Sequence, residues 1–171
     1  MRKIAKFEKV SFEEFKKAME NTRPELFENE IKEIYEDIIL PKRATKGSAG
    51  YDFFMPYSLT LNAHEAVKIP TGIRCKMDEG WVLKAYPRSG HGFKFGVHLA
   101  NTVGIIDSDY YYSDNEGHMF MKLVNSDSVL SKPLELDKGT AFCQGIFVEY
   151  GITVDDESTE VRNGGFGSTS K

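Results

Sequence analysis

The chain has 171 residues, 40% of them apolar, which is long enough for one domain with a buried core and too apolar for a disordered protein. A formal charge of −4 and a pI near 5.6 argue against a surface that coats nucleic acid, so any anionic ligand must be met locally by a few cations. Because no run approaches about 18 apolar residues, and because Cys75 and Cys143 lie far apart without metal-type spacing, a cytoplasmic protein with reduced thiols and no membrane partner is expected.

In chain order, "KIAKFEKV" alternates loosely, as a first strand does, and is followed by two capping-box spellings, Ser11-x-x-Glu14 and Thr22-x-x-Glu25. Each is read as a helix start. Phe12, Phe15 and Met19 then form one apolar stripe, and Phe27, Ile31, Ile34, Tyr35 and Ile38 a second, both requiring a surface to dock on. From Pro41 the period changes to two, with Ile73, Cys75 and Met77 on one face and Arg74 and Lys76 on the other. The same alternation marks "GWVLKAY", "HMFMKLV" around Met119, Met121 and Leu123, and "TAFCQGIFVEY" with Phe142, Gln144, Ile146 and Val148 on one face. Turn spellings "PTG", "DEG", "SGHG", "SDNEG" and "LDKG" separate these runs, which predicts a mainly β sandwich or barrel. The chain shows no internal repeat and no linker long enough for a second domain.

Five polar stretches are not explained by a β core: "GSAGYD" at 47–52, "PRSG" at 87–90, "NTVGIIDSDY" at 101–110, "KGTAFCQG" at 138–145 and the tail "NGGFGSTSK" at 163–171. With Arg88 and Arg162 they supply hydroxyls and glycine backbone N–H groups, the parts of a phosphate cradle. Asp107 follows two β-branched apolar residues, so a carboxylate is expected at the end of a buried run, where it is costly unless used or paired. Near a polyphosphate it would orient and deprotonate water or hold magnesium through its waters, and a plain turn-forming Asp is the bland alternative, favoured for Asp109. The four histidines have no helical zinc spacing and are assigned surface or packing roles. Neither G-x-S-x-G nor a Walker A sequence is present. Taken alone, the tail reads as a disordered terminus with one unexplained aromatic, Phe166.

The order and content of the five stretches closely resemble the five motifs of the homotrimeric dUTPases, of bacterial or phage type, from about Leu40 to Ser170. The resemblance implies a jelly-roll-like β-clip barrel, a homotrimer with three active sites at its interfaces, and hydrolysis of dUTP to dUMP and pyrophosphate with Mg2+. Such a reaction keeps uracil out of DNA and supplies dUMP for thymidylate synthesis. By the same resemblance Asp52 orders water around the metal, Arg88, Ser89 and Gly90 contact phosphate, and Asn101 binds uracil with Gly104 beside it. Asp107 becomes the water-activating carboxylate, Tyr110 the aromatic under the deoxyribose, and Gln144 a group near the phosphates. In the tail, Arg162 reaches the terminal phosphate, Phe166 covers the uracil, and Gly167, Ser168 and Thr169 wrap the phosphate chain. A Gly-rich arm with one ring suits a closing lid. The resulting division is an N-terminal strand and helical extension at 1–38, a β domain at 39–161 and a flexible arm at 162–171.

Three departures from the family pattern stand out. Gly139-Thr140-Ala141-Phe142 lacks the usual arginine of the fourth motif, "DYYYSDNEGH" is longer than the usual Tyr-Arg-Gly turn, and residues 11 to about 38 lie outside the minimal domain. Two rivals follow from the same motifs: a dCTP deaminase of the same fold, and a nucleotide-gated regulatory binding protein whose partner docks on the N-terminal helices. Packing of those helices on the barrel is the preferred expectation.

Overall fold

The computed structural model describes residues 2–126 and 132–160, so Arg162, Phe166, Gly167, Ser168 and Thr169 lie outside the described residues. In chain order the strands are β1 (Ala5–Lys9), β2 (Tyr51–Phe54), β3 (Leu59–Leu61), β4 (Ala66–Pro70), β5 (Ile73–Met77), β6 (Trp81–Pro87), β7 (Val97–Leu99), β8 (Gly104–Ile106), β9 (Phe120–Asn125), β10 (Leu134–Leu136) and β11 (Ala141–Glu149). Three helices, α1 (Phe12–Thr22), α2 (Glu28–Glu36) and α3 (Ser89–Phe95), and a 3-10 turn at Ser108–Tyr112 complete the described residues. The mainly β expectation holds. A four-stranded sheet β2-β11-β6-β8 and a three-stranded sheet β4-β9-β7 carry the fold, with the pairs β1-β5 and β3-β10 beside them. Phe53, Leu83 and Phe142 from the first sheet and Ile69, Leu99 and Leu123 from the second are fully buried in one core. Each such side chain contributes about 1.5–3 kcal/mol by leaving water.

At the N-terminus, Lys9 pairs with Ile73 and Ala5 with Met77, so β1 extends β5. The Ser11 hydroxyl accepts the Glu14 N–H at 3.2 Å and starts α1, whose Phe15 and Met19 are fully buried. The second capping spelling does not start a helix. Pro24 disfavours helical backbone at Arg23, which sits at φ −139, so α1 stops at Thr22 and that hydroxyl donates back to the Ala18 carbonyl at 2.9 Å. Helix α2 begins instead at Glu28, with the Glu30 carboxylate accepting the Phe27 N–H at 2.8 Å, and Phe27 is left exposed rather than docked.

Two further expectations are corrected. The "SGHG" spelling is not a turn but opens α3, which ends at Gly96 in the left-handed conformation, φ 60. In β11 the inward face is Phe142, then Cys143 and Gly145, not Phe142, Gln144, Ile146 and Val148. Between Ala141 and Cys143 the register against β2 slips by one residue, and such a bulge turns every later side chain to the other face.

His118, expected in a polar turn, is fully buried. Its Nε2 accepts the Gly72 N–H at 2.9 Å and its Nδ1 lies 3.2 Å from Glu14 Oε1. Burial pushes the imidazole down to about 3 from 6.5. Unfolded His118 therefore binds a proton that folded His118 refuses, so stability present above 6.5 is lost as pH falls towards 3, at up to about 1.4 kcal/mol per pH unit. Glu14, raised mainly by burial, acts in the opposite sense near its own pKa, which leaves the loss clearest in the upper part of the interval from 6.5 towards 3. The thermal midpoint of the wild type should fall across that interval, and a His118→Gln variant should show a flatter profile; equal slopes would remove His118 as the cause.

Candidate active site

The first, second and fourth polar stretches meet at one end of the four-stranded sheet. Asp52 on β2 pairs with Gln144 on β11, Gln144 pairs with Tyr86 on β6, and Pro87 pairs with Cys143, so Arg88 emerges beside both. Arg88 Nε stands 3.7 Å from Asp52 Oδ1, its Nη1 donates to the Ala141 carbonyl at 3.4 Å, and Gln144 Nε2 donates to the Pro87 carbonyl at 3.3 Å. A Cβ at Gly50 would come within 2.7 Å of Gln144 Oε1, so the glycine of "GSAGYD" is what lets the Gln144 amide lie across this end. Ser89 and Gly90 open α3, where first-turn N–H groups have no acceptor inside the helix. Burial, and then the Arg88 charge, holds the neighbouring His91 below its ordinary pKa. A half-exposed guanidinium, an amide and outward N–H groups are together suited to a polyanion.

The third stretch builds a separate element. The loop between β7 and β8, strands that belong to different sheets, exposes Asn101 and holds Thr102 at φ 66, with Val103 donating its N–H to the Asn101 carbonyl at 2.7 Å. A β-branched residue in that conformation is strained and persists only where its surroundings demand it. Gly104 lies opposite Ala85, whose Cβ would be 3.1 Å from a Cβ at that position. Asp107 follows directly after β8, half-buried, and its carbonyl accepts the Tyr110 N–H at 3.2 Å. It does not end a buried run: Ile105 is 55% exposed because β8 is an edge strand that alternates. Tyr110 is buried, donating its hydroxyl to the His118 carbonyl at 2.8 Å and accepting from Asn115 Nδ2 at 2.8 Å.

The two elements sit along the same strand but not together. Ile106 pairs with Leu83, and Arg88 lies five residues further on, just past the end of β6, a span of about 16 Å at strand rise. One chain therefore gathers Asp52, Arg88, Ser89, Gly90 and Gln144 in one place and sets Asp107, with the turn that holds Tyr110, past Leu83, while Gly104 opposite Ala85 and the Asn101 loop before it lie on the Arg88 side of Asp107. Among the described residues no three His, Cys, Asp or Glu side chains cluster as a metal cage.

The dUTPase family model matches residues 36–170. The chain belongs to the dUTPase family. The match begins at the last residue of α2, so β1 and α1 precede the part that defines a dUTPase. The deoxyuridine 5'-triphosphate nucleotidohydrolase of Lactococcus lactis is 42% identical over 135 residues, 77% of this chain and 88% of that protein. That of Dictyoglomus turgidum is 34% identical over 81% of this chain and 95% of its own. The crystal structure of dUTPase from Streptococcus mutans superposes with a TM-score of 0.60 at 35% identity, covering 69% of this chain and 90% of that one. A dUTPase from phage phi11 of S. aureus superposes with a TM-score of 0.63 at 18% identity over 92% of this chain, a likeness of fold.

Proposed function

We propose that this dUTPase is a dUTP diphosphatase that hydrolyses dUTP to dUMP and pyrophosphate, keeping uracil out of DNA and supplying dUMP for thymidylate synthesis. The single observation carrying this is the family match through all five stretches, with the first, second and fourth already brought together around Arg88. In this reading Arg88, Gln144 and the Ser89 and Gly90 N–H groups hold the phosphates, while Asn101 and the backbone of the β7–β8 loop pair with the uracil edge. Tyr110 lies under the deoxyribose and leaves no space for a 2'-hydroxyl. Asp107 accepts a proton from water as its oxygen attacks the α-phosphorus; the bond from that phosphorus to the bridging oxygen breaks, and its electron pair leaves with pyrophosphate. From the tail, Arg162 meets the terminal phosphate, Phe166 covers the uracil, and Gly167, Ser168 and Thr169 wrap the phosphate chain, by correspondence with the family motif.

Mg2+ needs no protein cage, since it keeps several waters and takes further ligands from substrate phosphates, and among the described residues no group of three His, Cys, Asp or Glu forms one. Asp52 would hold the ion through water, and the ion would neutralise triphosphate charge.

A homotrimer completes the site in this reading, because the Asp107 element of one protomer is too far from its own Arg88 cluster to act on the same phosphate. Phe93, 92% exposed on α3, and Ile105 on β8 are apolar surfaces near the two halves that a neighbouring protomer would cover. The N-terminal extension at 1–38 packs on the β domain at 39–161 in the same proposal, with the arm at 162–171 and a cytoplasmic location; among the described residues no helix is long and apolar enough to cross a membrane.

Both relatives quoted are nucleotidohydrolases, which disfavours the dCTP deaminase alternative. Pyrophosphate release measured for each dNTP tests the choice: dUTP alone should be turned over efficiently, whereas ammonia from dCTP would replace this function with deamination.

A further inference from the structure

The segment preceding the family match is bonded to the loop that follows Asp107. Glu116 accepts the Ser11 N–H at 2.7 Å through one carboxylate oxygen and the Ser11 hydroxyl at 2.6 Å through the other. Glu8 on β1 accepts the Tyr111 hydroxyl at 2.6 Å, and the Arg74 guanidinium sits 4.5 Å from the Tyr111 ring centroid, 3.6 Å from Glu8 and 3.9 Å from Glu116. Glu14 on α1 meets the His118 ring, and the His118 carbonyl receives the Tyr110 hydroxyl. Three residues of the N-terminal segment thus reach the two ends of one loop and, through it, Tyr110.

That loop is bent in a way that needs support. Glu116 has φ 57, a left-handed conformation that a long side chain rarely adopts. Gly117 follows at φ 73, where a Cβ would stand 2.7 Å from Tyr111 Cα, so the chain is pressed against itself there. Strain of this kind persists where neighbouring contacts over-determine it, and here those contacts come from Ser11.

We propose that β1 and the start of α1 act as a positioning clamp, with Glu116 and Ser11 its central pair, that sets the placement of the Tyr110 ring and thereby the preference for deoxyribose over ribose. This rests on the sugar role given to Tyr110 above. Exclusion of one hydroxyl depends on where the ring edge lies, and a loop free to relax by a fraction of an ångström would admit it. Glu8, Ser11 and Glu14 are positioning residues in this sense; none needs to touch substrate.

The test is the ratio of kcat/KM for dUTP to that for UTP, measured on the full chain. Loss of folded enzyme lowers both values and leaves the ratio untouched, so a merely structural role would not move it. Glu116→Asn suits the left-handed backbone but is too short to hold Ser11, and it should lower the ratio about tenfold, mainly by raising turnover of UTP. Ser11→Ala should act in the same direction, and Ser11→Thr, which keeps the hydroxyl, should retain the wild-type ratio. Tyr110→Ala separates the clamp from the reading beneath it. If Tyr110→Ala lowers the ratio and both Glu116→Asn and Ser11→Ala leave it unchanged, the clamp is overturned alone. If Tyr110→Ala also leaves it unchanged, the sugar role fails and the clamp with it.

Discussion

Asp107→Asn should lower turnover of dUTP by about 10²–10⁴-fold or more while leaving binding of a nonhydrolysable α,β-imido analogue within a few-fold of wild type. The substitution isolates the proton. Asparagine has nearly the same shape, and the Ser108–Tyr112 turn carries no side-chain cap bond at this position but is closed by the Asp107 carbonyl, which receives the Tyr110 N–H, so the turn should be preserved. What it cannot do is accept a proton from water. Turnover from pyrophosphate release and affinity from calorimetry separate these effects. Equal loss in both would mean that Asp107 serves only to shape the turn.

Arg88→Ala should be almost as damaging, since it removes the guanidinium at the end of β6 and leaves Asp52 as an uncompensated negative charge facing a triphosphate. Mixing makes the pair of variants more informative than either alone. The span of about 16 Å along β6 implies that a working site takes Asp107 from one protomer and Arg88 from another. If the two inactive chains are unfolded together and reassembled in equal amounts, sites pairing an intact Asp107 with an intact Arg88 form in about a quarter of cases, and activity should recover to about that fraction of wild type. No recovery, with mixed assemblies demonstrated by mass, would place both residues in a site made by one chain.

The strands with a clean period of two, β5 and β9, were readable because each has one face in the core and one outside, the condition under which alternation carries information. Where backbone geometry departs from that condition, the spelling misleads. The β11 bulge places two residues against one, and no periodicity contains it. Helix α3 is hidden by its own glycines and held by Gly96, whose N–H reaches the Gly92 carbonyl at 3.0 Å. At Thr22 a sound capping spelling lost to Pro24 two residues later. Motif order supplied the candidate site residues, and the structure adds what order cannot show: Asp52, Arg88 and Gln144 converge through β2–β11–β6 pairing, whereas Asp107 sits past Leu83 at the other end. The Ser11–Glu116 contact spans 105 positions, so nothing local marks it beyond a Gly that follows a Glu in a turn.

Hydrolysis of dUTP in water enriched in oxygen-18 tests the central chemistry most directly. Attack at the α-phosphorus by water that Asp107 deprotonates puts the new oxygen on dUMP, so mass spectrometry should find one labelled atom there per turnover and unlabelled pyrophosphate. Label in pyrophosphate, with dUMP unlabelled, would mean attack at the β-phosphorus and would contradict both the role given to Asp107 and the placement of the triphosphate against Arg88.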